Sequence, residues 1–300
     1  MLKWKRWLCV GLFGVGTVLV SVGCSQNAVS EKLPYVESYY TLTVQEVDAR
    51  AQAGDPFAQQ VLANVYYWGS HGYPADEEKS KFWLAQAVDG YRELAGKNNA
   101  AAMVRIGGYY ERGNTRLGLD ADIQKAIAYY QNAAKLGDAA AQFNLGQIYR
   151  HGTGGVEVDM ALSEHWYKQA LPEVQRLAGK GEAIWANRLA LMYRNGLGGM
   201  DVDLEKEAYW QDVYFQAERA FFASTHDHVI DPMRTFMLAG GHYFDNDPRK
   251  AYIVVSIAQR WMSSPKTEDY FGYFIRDFDV QEDVDAVVEG CLKELTEDCY

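Results

Sequence analysis

Five residues recur in one order at four places along this chain. An aliphatic anchor (Leu62, Ile106, Leu145, Leu189) is followed four positions later by a tyrosine (Tyr66, Tyr110, Tyr149, Tyr193) and three further on by a glycine (Gly69, Gly113, Gly152, Gly196). An aspartate then opens a new run (Asp76, Asp122, Asp159, Asp203), and seven positions beyond it stands Trp83, Tyr129, Trp166 or Trp210. Self-similarity at about 40 residues marks a repeat architecture, in which each unit buries its apolar face only against its neighbours.

A longer period runs through the same residues. Leu62, Tyr66, Gly69, Asp76, Trp83, Ala87 and Leu94 return 83 positions later as Leu145, Tyr149, Gly152, Asp159, Trp166, Ala170 and Leu177, so the duplicated unit is a pair of repeats. The first member of each pair has a long tail ending in LAGK, and both tails carry a helix breaker, Gly90 and Pro172.

Within one copy the spacing predicts two helices. Ala141, Leu145, Ile148 and Tyr149 share one helical face, and Gly152 follows where a left-handed stop is cheap for glycine alone. Asp159 then suits the N-cap of a second helix, whose Leu162, Trp166 and Ala170 again share a face. Small residues after each anchor (Ala63, Gly107, Gly146, Ala190) let the two backbones approach, and the tyrosines and second-helix aromatics fill the space around them. The fold class is therefore all-α: a solenoid of helical hairpins with capping helices at both ends. Thr43 and Glu46 have capping-box spacing, which predicts a covering helix over about residues 44–53. The stripe Val284, Val287, Val288, Cys291, Leu292 and Leu295 predicts another at the far end.

These features resemble the Sel1-like repeat family, kin of the tetratricopeptide repeats. The residues that carry the likeness are the L-G-x-x-Y of Leu145, Gly146 and Tyr149, the G-x-G-G-V of Gly152–Val156, and Asp159 with Trp166 and Tyr167. It covers residues 49–214, with anchor spacings of 39 and 44. A degraded fifth copy is expected at Ala239, Tyr243, Asp247, Ala251 and Trp261. The expected organisation is a signal peptide at 1–23, a tether at 24–42, four repeats at 43–214, an irregular segment with the degenerate repeat at 215–266, and a capping region at 267–300.

Lys3, Lys5 and Arg6 precede an apolar stretch of 14 residues from Trp7 to Val20, short for a membrane span and suited to a signal-peptide core. The junction S-V-G-C resembles a bacterial lipoprotein signal with Cys24 as the lipidated residue, although Ser21 stands where leucine is usual. Ser25 resembles the residue that sorts such proteins to the outer membrane, which points to a periplasm-facing lipoprotein. A simple secretory peptide or an uncleaved anchor also fits the stretch. Removing residues 1–23 takes away three positive charges and no negative ones, so the net charge goes from −11 to −14. Such a surface does not suit nucleic acid. Cys291 and Cys299 are expected to form a disulfide in an oxidising compartment, which requires the last helix to end near Thr296 and the tail to fold back.

Chemistry is sparse. His226 and His228 flank Asp227, with His242 and Asp245 downstream, a set that fits a metal-dependent enzyme only weakly because no third ligand follows from spacing. The glycines of GTGG and GLGG end helices and follow no strand, so they do not form a phosphate loop. No nucleophile motif is present, and neither catalysis nor a cofactor is expected. The resemblance implies a non-catalytic scaffold that holds proteins of the cell envelope, with roles in envelope assembly or polysaccharide export; a secreted, host-interacting factor is the rival reading. By analogy with tetratricopeptide arrays, positions two before and two and five after each anchor face a partner groove: Gln60, Asn64 and Tyr67; Val104, Gly108 and Glu111; Phe143, Gln147 and Arg150; Asn187, Leu191 and Arg194. In this reading Arg150 and Arg194 pair with carboxylates of the partner, over an apolar floor of Phe143 and Leu191. The bland account of the two arginines is that they offset the negative ends of their helices.

Overall fold

The computed structural model describes residues 42–224. Nine α-helices follow one another there: α1 (Val44–Gln52), α2 (Pro56–Trp68), α3 (Glu77–Gly96), α4 (Ala100–Arg112), α5 (Ile123–Lys135), α6 (Ala139–His151), α7 (Met160–Ala178), α8 (Ala183–Asn195) and α9 (Leu204–Ser224). No β-strand occurs among the described residues. The expected all-α array of hairpins is what forms. Helices pair as α2 with α3, α4 with α5, α6 with α7 and α8 with α9, and α3 meets α4, α5 meets α6 and α7 meets α8.

Local rules set the hairpin boundaries. The first helix of three repeats ends on a left-handed glycine, with φ of 64° at Gly69, 64° at Gly152 and 62° at Gly196. The second helices open on aspartates whose side chains accept from the amide three residues on, at 2.9 Å for Asp76, 3.0 Å for Asp122, 2.8 Å for Asp159 and 2.9 Å for Asp203. Each of these aspartates also donates its own amide to the carbonyl of the repeat tyrosine, Asp76 to Tyr66, Asp122 to Tyr110, Asp159 to Tyr149 and Asp203 to Tyr193, at 2.6–3.0 Å. That bond clamps the loop of every repeat. The covering helix α1 matches its expectation, capping box included: Glu46 accepts from the Thr43 amide at 2.9 Å, and Thr43 Oγ1 accepts from the Glu46 amide.

Packing follows the expected order of small, turn and bulky, with a shift of one position. Leu62, Ile106, Leu145 and Leu189 are at most 2 % exposed. The rings against the small residues come from one position after the expected aromatics: a Cβ on Gly107 would stand 2.6 Å from Tyr130, and one on Gly146 would stand 2.9 Å from Tyr167. Where the helix carries Ala63 instead, the corresponding buried residue is Leu84. Trp83, Tyr129, Trp166 and Trp210 are half-buried.

The repeat tyrosines correct a second expectation, since Tyr66, Tyr110, Tyr149 and Tyr193 are half-buried and not core. Each lies in the last turn of its helix, beyond the packed centre. Lysines of the next helix cover three of them, Lys79 over Tyr66 at 5.1 Å, Lys125 over Tyr110 at 5.3 Å and Lys206 over Tyr193 at 5.2 Å.

Neither breaker interrupts its helix. α3 runs through Gly90, where a Cβ would stand 2.8 Å from the Pro56 side chain, so glycine serves the close approach of α2. α7 runs through Pro172 to Ala178. α9 passes the expected boundary at 214 and continues to Ser224. Cys24, the fifth repeat, His226, His228, His242 and the Cys291–Cys299 pair lie outside the described residues. No helix among those described is long and apolar enough to cross a membrane.

Candidate functional site

The first helices of all four repeats contribute to one groove. A cavity of about 220 Å³ is lined from α2 by Gln60, from α4 by Val104, Arg105, Gly108, Tyr109 and Arg112, from α6 by Ala140 and Asn144, and from α8 by Ile184, Trp185 and Arg188, with Tyr130 of α5 behind. Three of the twelve expected groove residues, Gln60, Val104 and Gly108, are among them. Five others, Arg105, Tyr109, Arg112, Asn144 and Arg188, stand one position after the expected stripe, and Arg105, Tyr109 and Arg112 follow one another at i, i+4 and i+7 of α4. The sequence signal for two of them was Arg105 and Arg112, seven positions apart on one helical face.

Hydrogen bonds hold the polar residues around this cavity. Tyr91 donates to Gln60 Oε1 at 2.7 Å, and Tyr130 donates to Glu111 at 2.7 Å. Arg116 donates to Asn64 at 3.3 Å and to Ser80 at 3.2 Å while its guanidinium lies 4.6 Å from the centre of the Tyr67 ring. Arg188 stacks over Trp185 at 4.6 Å and over Phe143 at 5.1 Å. Burial, with the Glu111 charge adding to it, pushes the Tyr130 hydroxyl far above the usual phenol range. The Tyr109 hydroxyl is buried and has no hydrogen-bond partner.

A second cavity, of about 290 Å³, brings together Arg150, His151, Tyr167, Leu191, Arg194, Asn195 and Leu197. Three expected groove residues therefore do meet here, Arg150, Leu191 and Arg194. Arg194 is already paired with Glu207 of α9, across the hairpin, which answers its charge within the chain. Phe143 differs from its expected place as an open floor: it is 3 % exposed and packs edge-on against Tyr167 at 5.3 Å. Its ring belongs to the core, with Arg188 on its remaining face. Gln147 and Asn187 are half-buried. No group of three or more His, Cys, Asp or Glu side chains suited to a metal occurs among the described residues.

The pattern of the Sel1 repeat matches residues 56–90, 100–138, 139–171 and 186–210, one match for each hairpin. The matches stop at Gly90 and just before Pro172, so the long tails of α3 and α7 are additions to the repeat. Among curated proteins the chain is 32 % identical over 108 residues to the ERAD-associated E3 ubiquitin-protein ligase component HRD3B of Arabidopsis thaliana, covering 34 % of this chain and 16 % of that one. It is 29 % identical over 123 residues to an exopolysaccharide production negative regulator of Rhizobium meliloti (40 % and 46 %), and 29 % identical over 109 residues to chitin synthase regulatory factor 3 of Schizosaccharomyces pombe (36 % and 11 %). The chain spans less than half the length of these relatives. Solved structures similar to it include a Sel1 repeat protein from Oxalobacter formigenes, at 20 % identity and a TM-score of 0.35, covering 83 % of this chain and 68 % of that one. A protective antigen of uropathogenic Escherichia coli with an SLR fold, at 20 % identity and a TM-score of 0.33, covers 79 % and 56 %. The chain is a Sel1-repeat protein, and its four helical hairpins are its four Sel1 repeats.

Proposed function

We propose that this protein is a non-catalytic scaffold that holds a protein partner of the bacterial cell envelope in the groove of α2, α4, α6 and α8. Sel1 repeats are protein-interaction repeats, and the observation that carries the reading is the convergence of the four first helices on one cavity. The names of the relatives agree in kind, each describing a component or regulator. Two concern a polysaccharide, exopolysaccharide and chitin, in keeping with a role in envelope polysaccharide export. The signal-like N-terminus and Cys24 support attachment to the outer membrane by lipid, facing the periplasm.

Photo-crosslinking in intact cells tests the groove. A crosslinking residue in place of Asn144, inside the cavity, is expected to trap a protein partner, whereas one in place of the exposed Glu78 on α3 is not. Adducts from position 78 and none from position 144 would move the binding face elsewhere. Palmitate labelling tests the anchor: the wild type should take label and Cys24→Ala should not. An unlabelled wild type instead favours the secreted reading.

A further inference from the structure

Three of the four repeats seat a lysine ammonium on the same two groups, and the third repeat has those groups with a leucine in the lysine's place. The ammonium stands 3.4 Å from Asp76 Oδ2 and 5.1 Å from the centre of the Tyr66 ring in the first repeat. The distances are 2.9 Å from Asp122 and 5.3 Å from Tyr110 in the second, and 2.9 Å from Asp203 and 5.2 Å from Tyr193 in the fourth. A carboxylate and the face of an aromatic ring both attract a cation, so each pair makes a small ammonium site. The third repeat keeps the frame of that site. The Asp159 amide donates to the Tyr149 carbonyl at 2.9 Å, and Asp159 Oδ1 accepts from the Leu162 amide at 2.8 Å, as in the other copies. Leu162 occupies the register of Lys79, Lys125 and Lys206, and its side chain ends two bonds short of where a lysine carries its nitrogen. Among the described residues no cation pairs with Asp159 or lies over the Tyr149 ring, and Asp159 is exposed where the three lysine-paired aspartates are half-buried.

We propose that Asp159 and the Tyr149 ring form a docking site for a lysine side chain of a protein partner, at the loop end of the α6–α7 hairpin. The proposal rests on the scaffold reading for the existence of a partner, and it adds a contact outside the groove cavity, which neither residue lines. Lysine is the occupant because all three filled copies use it, a compact ammonium on a flexible stem that reaches carboxylate and ring together. Val158 and Met160, on either side of Asp159, are 54 % and 53 % exposed, which gives the apolar stem of that lysine a surface to lie on. The net charge of −11 favours the approach of a basic partner.

NMR on the full chain with isotope-labelled tyrosine tests the site, because Tyr66, Tyr110 and Tyr193 are controls within the same molecule. Titration with Nα-acetyl-lysine amide is expected to shift the Tyr149 ring signals saturably and leave the other three in place. Nα-acetyl-norleucine amide, which has the stem without the ammonium, should move none of them. Leu162→Lys should abolish the response by seating its own ammonium, and it should fold, since three repeats already carry lysine in this register. Asp159→Asn keeps the cap and should weaken binding about two- to fivefold, the range of an exposed ion pair. Tyr149 signals that move no farther than the controls overturn the site, as does a response that survives Leu162→Lys. Phosphoethanolamine binding more tightly than the lysine derivative would assign the site to a lipid headgroup and overturn the partner's lysine. In cells, a crosslinking residue in place of the exposed Met160 should trap a partner, with a lower yield in the Leu162→Lys background. Adducts from position 144 with none from position 160 remove this contact and leave the scaffold standing, whereas lysine-dependent adducts from position 160 alone keep this contact and retire the groove.

Discussion

Glu182→Asp should stabilise this protein, and the other repeats provide the controls. The four first helices begin with nearly the same cap geometry, φ and ψ being −73° and 111° at Asp55, −79° and 108° at Asn99, −74° and 113° at Asp138 and −72° and 110° at Glu182. The three short side chains accept helix amides at 2.8–3.0 Å, from Phe57 to Asp55, from Ala102 to Asn99 and from Ala141 to Asp138. Glu182 makes no such bond. Its extra methylene carries the carboxylate past the amides, and the Trp185 amide turns to the Glu182 carbonyl at 3.0 Å. A good cap is worth about 0.5–2 kcal/mol over a poor one. Glutamate already favours the positive end of the helix, and the Trp185 amide already has an acceptor, so the gain should lie near the lower end, about 0.5–1 kcal/mol. For a domain of this size that raises the melting temperature by roughly 1–4 °C. Thermal melts followed by circular dichroism, with amide exchange in α8, should rank Asp and Asn variants above the wild type and Glu182→Ala at or below it. Asp and Asn variants that melt no higher than the wild type would refute the argument that cap length limits α8.

Leu145→Ala removes a side chain with no exposed surface and should cost about 2–5 kcal/mol in a denaturant titration, while Tyr149→Ala, at a half-buried position, should cost less. Gly146→Ala places a Cβ 2.9 Å from the buried Tyr167 ring, so an overpacking cost of about 1–3 kcal/mol should exceed the gain in helix propensity of about 1 kcal/mol. Adding Tyr167→Leu should recover part of that loss in a double-mutant cycle, because the first repeat pairs Ala63 with Leu84 at these positions. Amide and lysine contacts hold the carboxyls of Asp76, Asp122 and Asp203 below their ordinary range, the amide bond coming first in each. Their stabilisation is therefore present above the unfolded value of about 3.9 and is lost as pH falls through the lower folded values, so melting temperatures should drop below about pH 4. Replacing all three with asparagine, which caps without titrating, should flatten that drop.

The hairpins were legible in the sequence because their ends depend on near neighbours. A glycine that turns left-handed at Gly69, Gly152 and Gly196, an aspartate that takes the amide three positions on, and the Thr43–Glu46 box are each set within a few residues. The anchors were legible for the same reason, since helical spacing places Leu62, Ile106, Leu145 and Leu189 on the face that pairs. The groove was not, because each step along a helix turns it by about 100°, and one position separates Val104 from Arg105. That both stripes of α4 line the cavity depends on how α4 is rotated against α2, α6 and α8, and no local signal states that angle. Spacing shows neither the ion pair of Arg194, whose Glu207 stands 13 positions away on another helix, nor the guanidinium over Phe143, which comes from the next repeat. The sequence alone determined where the first helix of each repeat stops, where the second starts and that the two pair, since those choices follow from backbone rules and periodicity. Only the tertiary structure decided which side chains meet across repeats and which polar atoms, Tyr109 Oη above all, are buried without a partner, since burial is a property of packed neighbours and not of order along the chain.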